Sequence, residues 1–483
     1  MANRSVATFW PSRDPSGEHT VDTRTRFRLP ASSVEEAFAN CLQRNARRNK
    51  TPAGSEVGEQ RRICWPQDVY AQRLSRGAFL RQQGWVENEF INWHAAPPLA
   101  LAEFLTAHIL SMISEFATKL KAIRREIREE YTQLHSKPWI IGFSGGKDST
   151  ILAHLVLECI LAIPPDERKR RVFILSNDTL VESPIFQSFV NRLLDQMAEN
   201  IPALRVPVAV VKTQPEIEES FWANLLGRGY PAPNRMFRWC TDRMKIRPTS
   251  KFIRQQVSLS GEAILLLGVR RSESAHRARN IEKHTAAANG RLSPHTDFKG
   301  CYIFTPIKDL TTTEVWATLI NSKPPWGGTY GELTTLYKDA LAGECPFVMS
   351  TNDAPSCGTN SARFGCWTCT VIEKDNSLES LITSGHYHLE PLSNFRKRLK
   401  EVSDNPDFRS KIRRTGQPGL GPLTMDAREM LLEELLAIQA EVGFELISST
   451  EVRLIKEQWA VDESDALFRD LARLESAKEP TCS

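Results

Sequence analysis

The sequence predicts an α/β fold built on a parallel, doubly wound sheet. Three observations lead there: short apolar runs of strand type alternate with helical patterns between residues 139 and 269, a glycine-rich turn separates the first run from the first helix, and no internal repeat offers another architecture. Upstream, apolar residues recur at helical spacing from Leu99 to Leu134, through Leu101, Phe104, Leu105, Ile109, Met112 and Phe116, before the charged run Lys119 to Glu130. Trp139 to Phe143 then reads as a strand and Ser149 to Ile163 as a helix closed by Pro164-Pro165. Strands follow at Val172 to Leu175, Val206 to Val211 and Ala263 to Val269, with a helix at Ile185 to Met197. Cys345 to Val371 is cysteine-rich and irregular, while Met425 to Val442 and Thr450 to Trp459 read as amphipathic helices. The expected domains are an N-terminal extension (1–95), the α/β domain (96–335) and a C-terminal cysteine and helical domain (336–483).

Composition excludes several classes. At 483 residues with 41% apolar side chains the chain can fill ordinary cores, and ten scattered cysteines do not make a disulfide framework. The most membrane-like stretch, Leu99 to Met112, is broken by Glu103 and His108, and Met1 to Pro30 carries five arginines and no apolar leader core. A cytoplasmic protein without membrane contact is expected. Net charge is only +4, so its distribution matters more: residues 1–100 hold 14 Lys and Arg against 10 Asp and Glu, and from Arg228 to Arg254 eight cations face Asp242 alone. That is a local field for an anion, or a solvated basic face.

Ser144-Gly145-Gly146-Lys147-Asp148-Ser149-Thr150 lies after the first strand and opens the following helix, where such sheets hold ligands. Two glycines let the backbone turn N–H groups toward an anion, the hydroxyls add donors, and the helix dipole adds positive potential. Lys147 is followed by Asp148, so the GxxxxGK[ST] phosphate loop does not fit. The string resembles instead the SGGxDS loop of the ATP pyrophosphatase superfamily. Asp148 beside bound phosphates implies a bridging Mg²⁺, since a carboxylate there is otherwise repelled. Asp178, just past the second strand, is a candidate for nucleotide or metal contact, or the start of an Asx turn.

In Phe237 to Lys245, Trp239 among Arg235, Arg238, Arg243 and Lys245 suits a surface that stacks on bases and neutralises phosphates; a buried amphipathic helix is the alternative. Cys240 reads as a buried thiol, a metal ligand or a sulfur carrier. Arg270 and Arg271, in Gly268 to Ser274, bring guanidinium groups to the loop's edge of the sheet, and the string resembles the phosphate-recognition motif of sulfonucleotide (PAPS) reductases. Cys345, Cys357, Cys366 and Cys369 suit an iron–sulfur cluster better than zinc, whose structural sites usually draw on two close pairs.

The ordered set of Gly142 to Ser149, Asp178 to Glu182, Gly227 to Lys245, Gly268 to Glu273, Glu344-Cys345-Pro346, Pro355 to Gly358 and Arg363 to Thr370 resembles the DndC family, the sulfurtransferases of bacterial DNA phosphorothioation, over about Pro138 to Trp459. The resemblance implies an adenine-nucleotide alpha-hydrolase (PP-loop) fold and cleavage of ATP to AMP and pyrophosphate. It further implies replacement of a non-bridging oxygen of the DNA backbone by sulfur, with a cysteine desulfurase as donor and other Dnd-type subunits as partners. By position, Ser144, Gly145, Gly146, Lys147, Asp148 and Ser149 would hold ATP with Arg270 and Arg271. Lys147, Asp148, Asp178, Cys240 and Arg270 would be catalytic, and Arg235, Arg238, Trp239, Arg243 and Lys245 would meet DNA. Cys345, Cys357, Cys366 and Cys369 would hold a 4Fe-4S cluster. Two other readings stand beside this one: a PAPS-reductase-type oxidoreductase, for which Cys482 is the sole late cysteine, and a DNA-binding scaffold that senses ATP.

Overall fold

Side chains alternate across the strands, and that alternation decides which helices cover which face of the sheet. The computed structural model describes residues 98–274, 278–279, 281–283, 290–340 and 364–476. Strands β1 (Trp139–Gly142), β2 (Val172–Asn177), β3 (Val208–Thr213), β4 (Ala263–Leu266), β5 (Ser293–Pro294) and β6 (Cys301–Phe304) form one sheet in the order β3-β2-β1-β4-β6-β5. All pairs are parallel except β5 with β6. Helices α1 (Pro98–Tyr131), α2 (Lys147–Leu161), α3 (Pro184–Asn200), α4 (Arg247–Ser260), α5 (Thr312–Asn321) and α6 (Gly331–Asp339) surround it. Beyond come α7 (Asn376–Thr383), α8 (Glu390–Asp404), α9 (Met425–Val442) and α10 (Ser449–Ser476).

Trp139 and Ile141 enter one core with α1, α2, α3, α5 and α6, whereas Ile140 enters another with Phe252, Ile253 and Val257 of α4. Burying each of these β1 side chains stabilises the sheet by about 1.5–3 kcal/mol. β1 lies between β2 and β4, so the chain winds outward in both directions from it and leaves a crevice at the carboxyl ends of those strands.

A third core joins the C-terminal helices to a segment that intervenes between β3 and α4. Phe221, Trp222, Trp239 and Met244 pack there with Trp367, Leu392, Phe395, Leu431 and Ile455. Trp222 donates its indole N–H to the Leu446 carbonyl at 2.7 Å. The segment contains two π-helical turns, Ala223–Gly227 and Thr241–Ile246, a geometry that widens the backbone and is frequent near functional sites.

Several expectations shift. The third strand sits two residues later than Val206 to Val211, and the fourth ends at Leu266, because Gly268 must leave the ladder to pass the loop after β1. The short β5 and β6 and helices α5, α6 and α8 were not signalled by the alternation read above. No helix among the described residues is long and apolar enough to cross a membrane. The expected extension over 1–95 lies outside the described residues.

Candidate nucleotide and sulfur site

The loop after β1 needs its glycines for different reasons. Gly145 has φ +73°, and a Cβ there would stand 2.4 Å from Val190 Cγ2 of α3. Gly268, arriving from β4, passes so close that its Cβ would meet the Asp148 carbonyl oxygen at 2.7 Å. The Ser149 hydroxyl folds the loop onto itself, accepting from the Ser144 N–H at 3.1 Å and donating to the Gly146 carbonyl at 3.0 Å. Lys147 N–H donates to the Tyr337 hydroxyl at 3.2 Å. The N–H groups of Gly145 and Gly146 meet no acceptor among the described residues, at the start of α2, where the helix dipole favours an anion. The loop fits phosphate oxygens.

Arg270 is not where phosphate recognition would put it. Its side chain is 1% exposed; Nε donates to Asp148 Oδ1 at 2.7 Å, Nη1 to Ser272 Oγ at 2.8 Å and the Leu310 carbonyl at 3.2 Å, and Nη2 to Thr312 Oγ1 at 3.3 Å. Lys147 Nζ takes the other Asp148 oxygen at 3.0 Å. Two cations already balance Asp148, which removes the ground on which an unpaired carboxylate implied Mg²⁺. Arg270 therefore positions Asp148, and Arg271 pairs with Asp309 at 2.8 Å. Asp178 takes the Asx-turn alternative: Oδ1 accepts from Leu180 N–H at 2.8 Å, while Oδ2 meets Lys212 Nζ at 2.8 Å and Gln214 Nε2 at 3.1 Å. Leu180, held at φ +66°, is a bulky residue in a region that costs about 1–3 kcal/mol.

Cys366 lies across from this turn. A β-bridge pairs it with Glu182, and Trp367 N–H reaches the Val181 carbonyl at 3.1 Å while Ser183 N–H reaches that of Gly365 at 3.2 Å. Cys366 Sγ lies 3.5 Å from Thr179 Oγ1 and 3.8 Å from Glu182 Oε1, and Cys369 N–H closes a turn onto the Cys366 carbonyl at 3.0 Å. Burial and then Glu182 push the Cys366 thiol up to about 12. Cys240 comes from the other side: burial raises its thiol pKa, and the nearby Cys369 sulfur raises it further. Lys245 is raised too; burial opposes this, but Cys366, Glu182, Cys240 and Cys369 outweigh it. The structure thus brings Cys240, Cys366, Cys369 and Lys245 together across more than a hundred residues of sequence. Their thiols suit iron in kind, although among the described residues no three His, Cys, Asp or Glu side chains form a ligand set. Cys345 and Cys357 lie outside the described residues.

The loop and the cysteines share a support that the sequence did not signal. Phe364 stacks on Phe186 at 4.3 Å and meets Tyr337 edge-on at 5.2 Å, so the ring that touches Lys147 also backs the chain entering Cys366. In the basic segment, Trp239 is 6% exposed, stacked on Phe221 at 5.3 Å with its N–H on the Pro231 carbonyl at 3.0 Å. It therefore cannot stack on bases, and the buried alternative holds for it. Arg243 pairs with Glu219 and reaches the Tyr230 hydroxyl at 3.1 Å, and Lys245 lies 3.7 Å from Glu182. Arg235 and Arg238 remain exposed, beside Met236 and Phe237.

Residues 138–372 match the phosphoadenosine phosphosulfate reductase domain. The matched residues take in the whole sheet, the loop, Cys240, Cys366 and Cys369. A Methanocaldococcus jannaschii protein described as uncharacterized is 25% identical over 205 residues, 42% of this chain and 35% of its own, so the chain spans about a third of the curated relative it matches. Among solved structures, a Candida auris phosphoadenylyl-sulfate reductase in a phosphate complex is 14% identical, with 41% of this chain and 77% of that one covered and a TM-score of 0.27. The NH3-dependent NAD synthetase of Campylobacter jejuni is 15% identical over 42% of this chain and 71% of its own, at a TM-score of 0.26. A U34-tRNA thiolase, NcsA, from Methanococcus maripaludis with its 4Fe-4S cluster is 14% identical over 59% and 80%, also at 0.26.

Proposed function

We propose that this chain is an ATP-dependent sulfurtransferase acting on DNA, with a reductase-like domain adapted to activate a backbone phosphate. The observation that carries the reading is that Cys366 and Lys245 both lie against Glu182, at 3.8 and 3.7 Å, at the end of the sheet that bears the glycine loop. Free N–H groups of Gly145 and Gly146 at the start of α2 would hold the β- and γ-phosphates of ATP, with Lys147 at their edge. A non-bridging oxygen of the DNA phosphate attacks the α-phosphorus; a P–O bond forms, the α–β bridge breaks and pyrophosphate leaves. Sulfide then attacks the DNA phosphorus, a P–S bond forms, the P–O bond to AMP breaks, and the proton of the sulfide passes to solvent. Lys245 stands where a cation stabilises sulfur as an anion.

By the resemblance, Cys345, Cys357, Cys366 and Cys369 would hold a 4Fe-4S cluster, which when bound supplies sulfur binding or electron transfer. The sulfur donor would be a cysteine desulfurase, whose persulfide a dithiol reductant converts to sulfide by a two-electron reduction, and other Dnd-type subunits would complete the assembly. The test is to incubate the purified chain with ATP, a DNA duplex, cysteine, a desulfurase and a dithiol reductant, following AMP and pyrophosphate and the mass gain of sulfur replacing oxygen. DNA-dependent AMP release with phosphorothioate supports the reading; ATP left intact, with or without DNA, refutes it. The domain match favours one further reading, reduction of a sulfonucleotide, which sulfite release from PAPS with a dithiol reductant would reveal.

A further inference from the structure

The segment between α8 and α9 holds four cations, Arg409, Lys411, Arg413 and Arg414, and no Asp or Glu between Asp407 and Asp426. It folds into a narrow two-stranded arm. Ser410 N–H pairs with the Pro422 carbonyl at 2.8 Å, Gly419 N–H with that of Lys411 at 2.9 Å, and Arg413 N–H with that of Gln417 at 2.8 Å around the tip. Close packing fixes the shape. A Cβ on Gly421 would lie 2.0 Å from the Ile412 carbonyl oxygen, and Gly419, at φ +138°, makes room for the Arg413 guanidinium. Arg409 staples the base through the Gly421 carbonyl at 2.6 Å and the Ser403 carbonyl at 2.7 Å.

The arm is fastened to the basic segment of the candidate site. Leu423 N–H donates to the Gly229 carbonyl at 2.7 Å, Arg414 bonds the Arg228 carbonyl, and its guanidinium lies 4.8 Å from the centre of the Tyr230 ring, which Arg243 also approaches at 5.3 Å. Neighbouring cations are neutralised: Arg243 and Arg247 by Glu219, and Lys251 by Glu216. Lys411 and Arg413 are exposed and form no ion pair among the described residues, as is true of Arg235 and Arg238 on the adjoining loop. A rigid arm that presents uncompensated cations at fixed positions is built for a polyanion with regularly spaced charges.

We propose that residues 409–423 form an arm that grips the phosphodiester backbone of a nucleic acid and delivers it to the cysteine site. The inference rests on the DNA reading above and names its interface. Each lysine or arginine contact with phosphate contributes about 0.9 to the slope of log affinity against log salt, so losing two contacts at ~0.1 M salt weakens binding roughly 10- to 60-fold. The experiment uses the full chain, a fluorescein-labelled duplex and a single-stranded RNA of equal length, with anisotropy measured over a salt series. Lys411→Gln/Arg413→Gln should weaken duplex binding by that factor and flatten the salt slope by about 2. Lys411→Arg/Arg413→Lys should retain both, which separates lost charge from lost fold. Duplex affinity and slope unchanged in the glutamine variant would overturn the arm while leaving the DNA reading intact. Arm-dependent binding of RNA with none of the duplex would support the arm and overturn the DNA reading; no binding of either by the unmodified chain would overturn both.

Discussion

Replacing Arg270 with glutamine separates the role the structure gives it from the role a phosphate ligand would have. Its guanidinium makes four bonds inside the protein, and the pair it forms with Asp148 is 1% exposed on one side and 16% on the other. Removing one partner of such a buried pair costs about 3–5 kcal/mol, and because Lys147 still reaches Asp148 the lower end applies, about 3 kcal/mol. Urea unfolding followed by tryptophan fluorescence measures it, with the cycle of Arg270→Gln, Asp148→Asn and the double variant. The double variant should recover part of the loss, giving a coupling of about 2 kcal/mol, since it no longer buries an unbalanced carboxylate. A loss below about 1 kcal/mol with no coupling, accompanied by a more than tenfold fall in ATP affinity, would refute the argument and return Arg270 to the phosphate.

Four other substitutions probe separate parts of the molecule. Gly145→Ala meets both a positive φ and Val190, so it should cost about 2–4 kcal/mol and abolish ATP binding by calorimetry; adding Val190→Ala should return part of the stability. Burial lowers the His154 pKa from 6.5 to about 4, and its ring nitrogen lies 2.8 Å from the Tyr330 hydroxyl. The folded state therefore resists protonation, and stability should fall by about 2–3 kcal/mol as pH drops from 6.5 toward 4, a slope that His154→Gln should remove from the urea midpoints. Trp239→Ala should destabilise the chain by about 3–5 kcal/mol, whereas Arg238→Ala should leave the urea midpoint unchanged and weaken only duplex binding.

The parts of the fold that were legible in the sequence are those governed by neighbours along the chain. β1, the glycine turn and α2 follow one another within 23 residues, Trp139 to Leu161, and each has its own local signature. What was illegible depends on partners far away. Nothing local in Gly268-Val269-Arg270 shows that its guanidinium turns toward a carboxylate 122 positions earlier. Trp239 carries the same residue type whether it stacks on a base or on Phe221, and only the packing of Phe221 and Tyr230 against it decides. Nothing local to Cys240 points to Cys366 and Cys369, which belong to another stretch of chain. The two-residue β5 is too short for any alternation to register. The arm at 409–423 carried a readable signal, a cation run without acids punctuated by glycines, but its attachment to Gly229 is again long-range.

The bridge between Glu182 and Cys366 has a mechanical meaning. The cysteine turn hangs from the carboxyl end of β2 by the backbone of residues 181–183, and that backbone is continuous with the tight Asp178 to Leu180 turn. Sulfur at Cys366 and the carboxylate at Asp178 are thus mounted on opposite arms of one short lever whose pivot is the left-handed Leu180. A displacement at either end is therefore passed along this short stretch of backbone or taken up at Leu180.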